Sequence, residues 1–269
     1  MGLFRCLCFL CACALGAAAA RGDSLNPWIG QKVKAELTDI SPSTHLEVLY
    51  DADGSGSGSA ELLTGRTGVF NWVPQAGSNN IFPFNRAFQS FCIDIQQAYE
   101  TPSTFTIARL ETSPVTDPPG VAGSGPNSTF MSVQQADYLR ELWGESYAGI
   151  WTGTAQEQVV KATAFQLTIW EILFESSTST TNRLSGGYFK VKYGTTTPPS
   201  YVTQANAYMA ATYDTGYSAY ETNLIALTST YGQDHLALVP LPAACWGGLA
   251  LMGAVGFRAW RNRARPELA

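Results

Sequence analysis

Two uninterrupted apolar segments, one near each end of the 269-residue sequence, limit what the chain can fold into. The first covers residues 6–15, follows a start that contains Arg5, and precedes Gly16 and four alanines. A positively charged start, a short apolar run and small residues are the three parts of a secretory signal peptide. The run is too short to span a bilayer. We therefore predict a signal peptide over residues 1–20, with cleavage after Ala20.

The second apolar segment has no charged side chain from Leu236 to Phe257, and its twenty-two positions are enough for one membrane-spanning helix. Four arginines follow within the next eight residues. Such a basic flank stays on the cytoplasmic side of a membrane. We therefore predict a C-terminal sorting signal over residues 236–269, with a membrane helix and a basic tail. Residues 21–235 then form one exported domain.

The start of this second segment reads Val239-Pro240-Leu241-Pro242-Ala243, and it precedes the apolar run and the arginine cluster. The arrangement resembles the PEP-CTERM sorting signal in its VPLPA form. The resemblance implies a Gram-negative source and an exosortase that removes a transient inner-membrane anchor near residues 240–243. It also implies a final location at the cell surface or in an extracellular polysaccharide matrix or biofilm. A plain C-terminal membrane anchor is the alternative.

The charge of the region between the two ends excludes one large class of partner. Residues 21–235 carry 11 basic and 20 acidic side chains, which gives a net charge of −9. Because binding to nucleic acid needs a basic surface that neutralises phosphates, we expect no nucleic-acid partner. The two histidines, His45 and His235, have no neighbour in the sequence that suits metal binding, and we expect no metal or cofactor.

The pattern of apolar residues predicts strands, then helices, then strands again. Alternation of apolar and polar residues predicts strands at Val33–Leu37, His45–Tyr50, Glu61–Val73, Phe88–Gln96, Phe105–Leu110, Thr222–Thr228 and His235–Val239. Capping boxes at Ser132/Gln135 and Thr154/Glu157 predict two helices, and a third is expected near Tyr201–Tyr213. This order predicts an α+β fold in which a sandwich-like or barrel-like β-rich lobe carries a helical lobe inserted between strands.

One loop leaves calcium binding undecided. Residues 51–61 begin like a calcium-binding loop, with oxygen-bearing side chains at positions one, three and five and Gly56 at position six. The acidic residue required at position twelve is replaced by Leu62. We therefore predict a hairpin loop here.

The use of cysteine singles out one side chain. Four of the six cysteines lie in the predicted signal peptide and Cys245 lies in the predicted anchor, so Cys92 is the only one in the exported domain. Exported proteins normally pair their cysteines, and an odd one needs an explanation. One explanation is packing as a small buried thiol. Strand alternation places Cys92 on the more polar face of its strand, together with Ser90, Asp94 and Gln96.

A glutamine is equally out of place on the second predicted helix. Gln166 lies in the middle of an apolar stripe at helical spacing, and Trp170 borders that stripe. A buried amide is costly unless it finds hydrogen-bond partners, and a nearby backbone is one such partner. A covalent link between Cys92 and Gln166 explains both unusual positions. The thiolate attacks the side-chain carbonyl carbon, ammonia leaves and a thioester remains.

The sequences around these two residues are Phe91-Cys92-Ile93-Asp94 and, over residues 164–171, Ala-Phe-Gln-Leu-Thr-Ile-Trp-Glu. They resemble the paired motifs of bacterial thioester domains, which are adhesin modules that attach covalently to their targets. The resemblance implies Cys92 and Gln166 as thioester partners and a β-rich lobe joined to a helical lobe. The chain departs from the motif at Phe165 and Thr168, where the adhesins have Thr and Ala.

These observations lead to one expected function and two alternatives. We expect an exported matrix or surface protein whose thioester reacts once with an amine or hydroxyl of an extracellular polysaccharide or surface protein, not an enzyme. Asp94 is the residue expected to assist proton transfer, and Trp170 is expected to wall the site from water. The first alternative is a non-covalent structural or binding module with a free, buried Cys92. The second is a cysteine hydrolase or transglutaminase-like enzyme, for which His235 would have to fold back to the strand.

Overall fold

The computed structural model describes residues 28–51, 60–75, 86–113, 130–175, 183–194, 197–214 and 219–239. The chain divides into two compact units, Met1–Leu238 and Val239–Ala269. The predicted signal peptide, most of the loop considered for calcium and the predicted anchor beyond Val239 lie outside the described residues. No helix within the described ranges is long and apolar enough to cross a membrane.

Seven strands form one antiparallel sheet that closes on itself. They are β1 (Lys32–Tyr50), β2 (Glu61–Pro74), β3 (Phe88–Cys92), β4 (Ser103–Ala108), β5 (Phe189–Lys192), β6 (Leu224–Ser229) and β7 (His235–Leu238). The strand order is β2-β3-β7-β6-β4-β1-β5, and β1 also pairs with β2. Six strands therefore make a closed ring, and β5 extends it along the far half of β1.

Strand β1 is 19 residues long and pairs with three other strands. Its first residues pair with β4, its last residues pair with β5, and β2 runs beside most of it. The pairing with β2 shifts register between Leu37 and Asp39 and again between Ile40 and Ser43, and such irregularities bend a strand. Opposite the second shift lies Gly68, where an added Cβ would be 2.2 Å from the carbonyl oxygen of Pro42. We had expected two separate strands here, and that expectation was wrong.

Within the described residues, three α-helices lie between β4 and β6 in the sequence. They are α1 (Val133–Ile150), α2 (Ala155–Phe174) and α3 (Ser200–Asp214), and β5 separates α2 from α3. Both predicted capping boxes are present, one at Ser132 and one at Thr154. The α+β fold with helices inserted between strands is therefore confirmed. The four-residue β5 was not predicted, because its sequence Phe-Lys-Val-Lys alternates over only two apolar and two polar residues.

Helix α2 is the centre of the fold. It contacts α1 and α3 as well as β1 and β2, and every side chain from Ala162 to Phe174 is buried. Phe165 on this helix packs against Phe91 of β3 at a ring distance of 4.7 Å, and Trp143 of α1 packs against both rings. A polar residue in the second half of α2 is therefore surrounded by protein on all sides and must be satisfied by protein groups.

Candidate functional site

The structure brings Cys92 and Gln166 into direct contact. The backbone N–H of Cys92 donates a hydrogen bond of 2.9 Å to Gln166 Oε1. Gln166 Nε2 donates in turn to the backbone carbonyl oxygen of Cys92 at 2.7 Å. Both side chains are buried, and Gln166 has no exposed surface. Two residues that are 74 positions apart in sequence are thus held together by a pair of hydrogen bonds.

The carboxamide of Gln166 takes the place of a missing strand neighbour. Pairing between β3 and β2 ends at Ser90, and on its other side β3 bonds to β7, where Ile93 N–H donates to the Asp234 carbonyl. Because the backbone N–H and C=O groups of successive residues in a strand point in opposite directions, those of Cys92 point away from β7. A carboxamide carries one donor and one acceptor in a plane, as a peptide group does. Glutamate, which has no donor when ionised, could not make the same pair of bonds.

The thiol of Cys92 is buried and protonated at neutral pH. Its Sγ donates to the backbone carbonyl oxygen of Asp94 at 2.8 Å. Burial, and to a smaller extent the charges of Asp94 and Asp234, raise the pKa of the thiol well above its usual value. The backbone of Asp94 and, to a smaller extent, the side chain of Trp170 oppose this rise in pKa, because hydrogen-bond donors near the sulfur favour the thiolate. The group must therefore lose its proton during any nucleophilic step.

Asp94 lies in a buried turn and not on a strand face. Strand β3 ends at Cys92, four residues earlier than predicted, so alternation does not continue to Asp94. Its Oδ1 accepts hydrogen bonds from the backbone N–H groups of Gln96 at 3.1 Å and Gln97 at 3.2 Å. The carboxylate therefore fixes the segment after β3, while the carbonyl of the same residue holds the thiol. Its expected part in proton transfer stays a prediction.

Asp234 is a carboxyl group near Cys92 that sequence reasoning missed. Its Oδ1 accepts from the backbone N–H of Ser229 at 2.6 Å. Burial raises its pKa to about 7, the bond from Ser229 opposes that rise, and the charge of Asp94 adds to it. A group with this pKa can both accept and return a proton near neutral pH. No local motif marks Asp234, since only the pairing of β3 with β7 brings it to the site.

His235 lies opposite Cys92 in the register of β3 and β7. Its Nδ1 is 3.1 Å from Ser90 Oγ, which also accepts a hydrogen bond from Trp72 Nε1 at 2.7 Å. Burial lowers the pKa of His235 to about 3, so the ring is neutral. Among the described hydrogen bonds none joins His235 to the thiol. His235 thus lies beside the strand that carries Cys92, as the hydrolase alternative requires. Its ring, however, is hydrogen-bonded to Ser90 and not to the thiol.

A cleft of about 430 Å³ leads to the thiol from outside. It lies between the β1–β2 pair and the segment 95–99 that follows β3, with Gln233 on its border. Cys92 and Trp170 both line it. Trp170 is thus placed beside the sulfur, where a wall residue was expected. The cleft gives a molecule from solution a route to an otherwise buried group.

Comparisons of the chain with family models, with curated proteins and with solved structures returned no match. Within the described ranges, no group of three or more His, Cys, Asp or Glu side chains could hold a metal ion.

The arrangement suits transfer of an acyl group between the carboxamide and the thiol. Attack by sulfur on the side-chain carbonyl carbon would place negative charge on Gln166 Oε1. The backbone N–H of Cys92 already donates to that oxygen at 2.9 Å. A donor aimed at the oxygen where charge develops is the main element of an oxyanion hole. The nucleophile and this donor therefore belong to the same residue.

Proposed function

We propose that this protein is exported to the cell envelope or extracellular matrix and carries an internal Cys92–Gln166 thioester through which it attaches covalently to its target. The observation that carries the proposal is the double hydrogen bond between the Gln166 carboxamide and the Cys92 backbone. It fixes the acyl group beside the residue that bears the domain's single thiol. The apolar segments and the VPLPA-type sequence support export and sorting by an exosortase through a transient inner-membrane anchor.

Formation of the bond is a balanced exchange of ammonia for sulfur. The bond between Sγ and the Gln166 carbonyl carbon forms, and the bond from that carbon to Nε2 breaks. The thiol proton passes to the departing nitrogen, which leaves as ammonia. Asp94 and Asp234 are the carboxyl groups whose charges reach the thiol, and a pKa of about 7 suits Asp234 for carrying that proton.

Burial favours the thioester once it has formed. The same burial that disfavours a charged thiolate has no such cost for an uncharged thioester. Gln166 has no exposed surface, Trp170 lines the cleft beside Cys92, and the cleft gives the nucleophile its route to the bond. When that nucleophile attacks, the target becomes bonded to the Gln166 side chain and the Cys92 thiol is released.

Intact-mass measurement of the purified full chain tests this proposal. The protein should be one ammonia lighter than its sequence requires, and methylamine should add with release of a titratable thiol. Cys92→Ala should restore the full mass, whereas Cys245→Ala, which removes a cysteine outside the exported domain, should not. A wild-type chain with full mass and a free Cys92 thiol would rule the thioester out.

One observation favours a second candidate function. Both polar atoms of the Gln166 carboxamide are satisfied by the Cys92 backbone without any covalent bond. The glutamine would then join helix α2 to strand β3 in a non-covalent structural or binding module of the matrix. Under this alternative, Cys92→Ala leaves target binding unchanged and Gln166→Ala unfolds or loosens the domain.

A further inference from the structure

The cleft above Cys92 is lined by neutral polar and aromatic side chains together with the aliphatic side chains of Ile40, Leu46, Val48, Leu63 and Ile95. Its neutral polar side chains are Thr64, Thr67, Gln96, Gln97 and Gln233, and its aromatic side chains are Phe70, Tyr99 and Trp170. Apart from His45, the only ionisable side chain of basic type is Arg66, and no Asp or Glu lines the cleft among the described residues. Its volume of about 430 Å³ is in the range of small-molecule sites.

This lining disfavours a lysine side chain as the incoming nucleophile. Among the described lining residues, an ammonium group that enters the cleft would meet the guanidinium of Arg66 and no carboxylate, and juxtaposed like charges reject a ligand. Asp39 pairs with Arg66 at 3.6 Å but does not line the cleft. Asp94 and Asp234 act on the thiol, yet neither lines the cleft.

The same lining suits a neutral sugar. Each glutamine amide offers donors and an acceptor, which match the paired donor and acceptor character of a hydroxyl group. The segment that carries Gln96 and Gln97 is held in place because its N–H groups donate to Asp94. Tyr99 is 47% exposed and packs edge-on against Phe70 at 6.2 Å, so one part of its ring is fixed while another part is open to a ligand. An ordered aromatic ring is a surface on which the apolar face of a sugar can stack.

We infer that the cleft binds a neutral carbohydrate and delivers one of its hydroxyl groups, not a lysine, to the thioester at Cys92, which is the member of the pair that lines the cleft; the covalent step rests on the function proposed above. The hydroxyl oxygen forms a bond to the acyl carbon of Gln166, and the bond from that carbon to the Cys92 sulfur breaks. The hydroxyl proton passes to the sulfur, which regenerates the thiol. The product is an ester between Gln166 and the sugar, whereas a lysine would give an amide.

The stability of the product distinguishes the two nucleophiles. The full-length protein is incubated with end-labelled neutral oligosaccharides of glucose, galactose and mannose, and in parallel with a labelled peptide that contains one lysine. We expect a label to attach from at least one oligosaccharide, to map to Gln166 and to be released by mild alkali, as an ester is. Attachment of the lysine peptide alone, in an alkali-stable bond, would overturn the inference and leave the thioester in place.

A second measurement does not depend on the thioester. Cys92→Ala cannot form the thioester but retains the rest of the cleft. It should therefore bind at least one oligosaccharide of the panel reversibly. The double variant Cys92→Ala/Tyr99→Ala should bind that oligosaccharide about tenfold more weakly, the loss expected for one aromatic contact. Tyr231→Ala is the matched control, because Tyr231 is 80% exposed and does not line the cleft.

The two measurements separate failure of the inference from failure of the proposed function. If the wild-type chain has its full mass but the Cys92→Ala chain binds oligosaccharide through Tyr99, the thioester is refuted and the carbohydrate cleft stands. If no oligosaccharide binds to Cys92→Ala and none attaches to the wild type, the carbohydrate cleft is refuted, whatever the mass shows.

Discussion

Replacement of Cys92 by alanine removes the sulfur but leaves both hydrogen bonds to Gln166, because these bonds involve only the backbone of Cys92. The substitution therefore measures the cross-link apart from the hydrogen bonds that accompany it. A bond that closes a loop of this length stabilises the folded state by about 4 kcal/mol in the chain-entropy model. Without a thioester, loss of one buried heavy atom costs only about 1 kcal/mol.

Urea unfolding of the full chain, followed by tryptophan fluorescence, distinguishes these values. With an m-value of about 2–3 kcal/mol/M, a loss of about 4 kcal/mol lowers the midpoint by about 1.3–2 M. Treatment of the wild type with methylamine should lower its midpoint in the same direction, and the same treatment of Cys92→Ala should have no effect. A decrease of about 1 kcal/mol or less in Cys92→Ala, together with an unchanged midpoint after methylamine, would refute the cross-link.

Three further predictions concern the surroundings of the site. A raised pKa at Asp234 makes the folded state less stable as pH rises from about 4 to 7, whereas a lowered pKa at His235 makes it less stable as pH falls from 6.5 to about 3. The two effects oppose each other as the pH falls, and Asp234→Asn removes the one that stabilises the folded state. The free energy of unfolding of Asp234→Asn should therefore decrease more steeply than that of the wild type between pH 6.5 and 4. Parallel plots of unfolding free energy against pH for the two proteins would contradict this. Gly68→Ala should destabilise by about 2 kcal/mol or more in thermal unfolding, because its Cβ meets Pro42, while Gly65→Ala on the same strand, with nothing within 4 Å, should not. Trp170→Ala should let water hydrolyse the thioester and leave glutamate at position 166, which intact mass can follow over time. Trp170→Phe keeps an aromatic wall and should keep the thioester. Equal lifetimes of the thioester in the two variants would count against a water-excluding role of Trp170.

The residues of the site differ in how far the sequence reveals them. Cys92 and Gln166 could be selected because each is chemically unusual for its position in a strand or a helix, and this signal is local. Asp234 could not be selected, since its place beside Cys92 depends on the pairing of β3 with β7, and His235 was named only for the hydrolase alternative. Asp94 was assigned to the wrong local structure because nothing in the alternating pattern shows that β3 ends at Cys92.

The helices and the sheet also differ in how far the sequence predicts them, because helix signals are local and strand pairing is long-range. Capping boxes and helical spacing identified the helices, because those signals lie within one turn of the residues concerned. The closed ring of strands could not be predicted in the same way, since it depends on β1 continuing through two register shifts to pair with several other strands. Local alternation predicts where strands lie, but it carries no information about which strands become neighbours.

The position of Gln166 in the middle of α2 has a mechanical consequence. A target bonded to this side chain would pull on a helix that is enclosed by α1, α3, β1 and β2, not on the end of a sheet. Tension would then be shared among many side chains that must move together, and detachment would require the core to open before any single strand could be peeled away. An attachment point of this kind withstands shear at an outer surface better than one on an exposed loop.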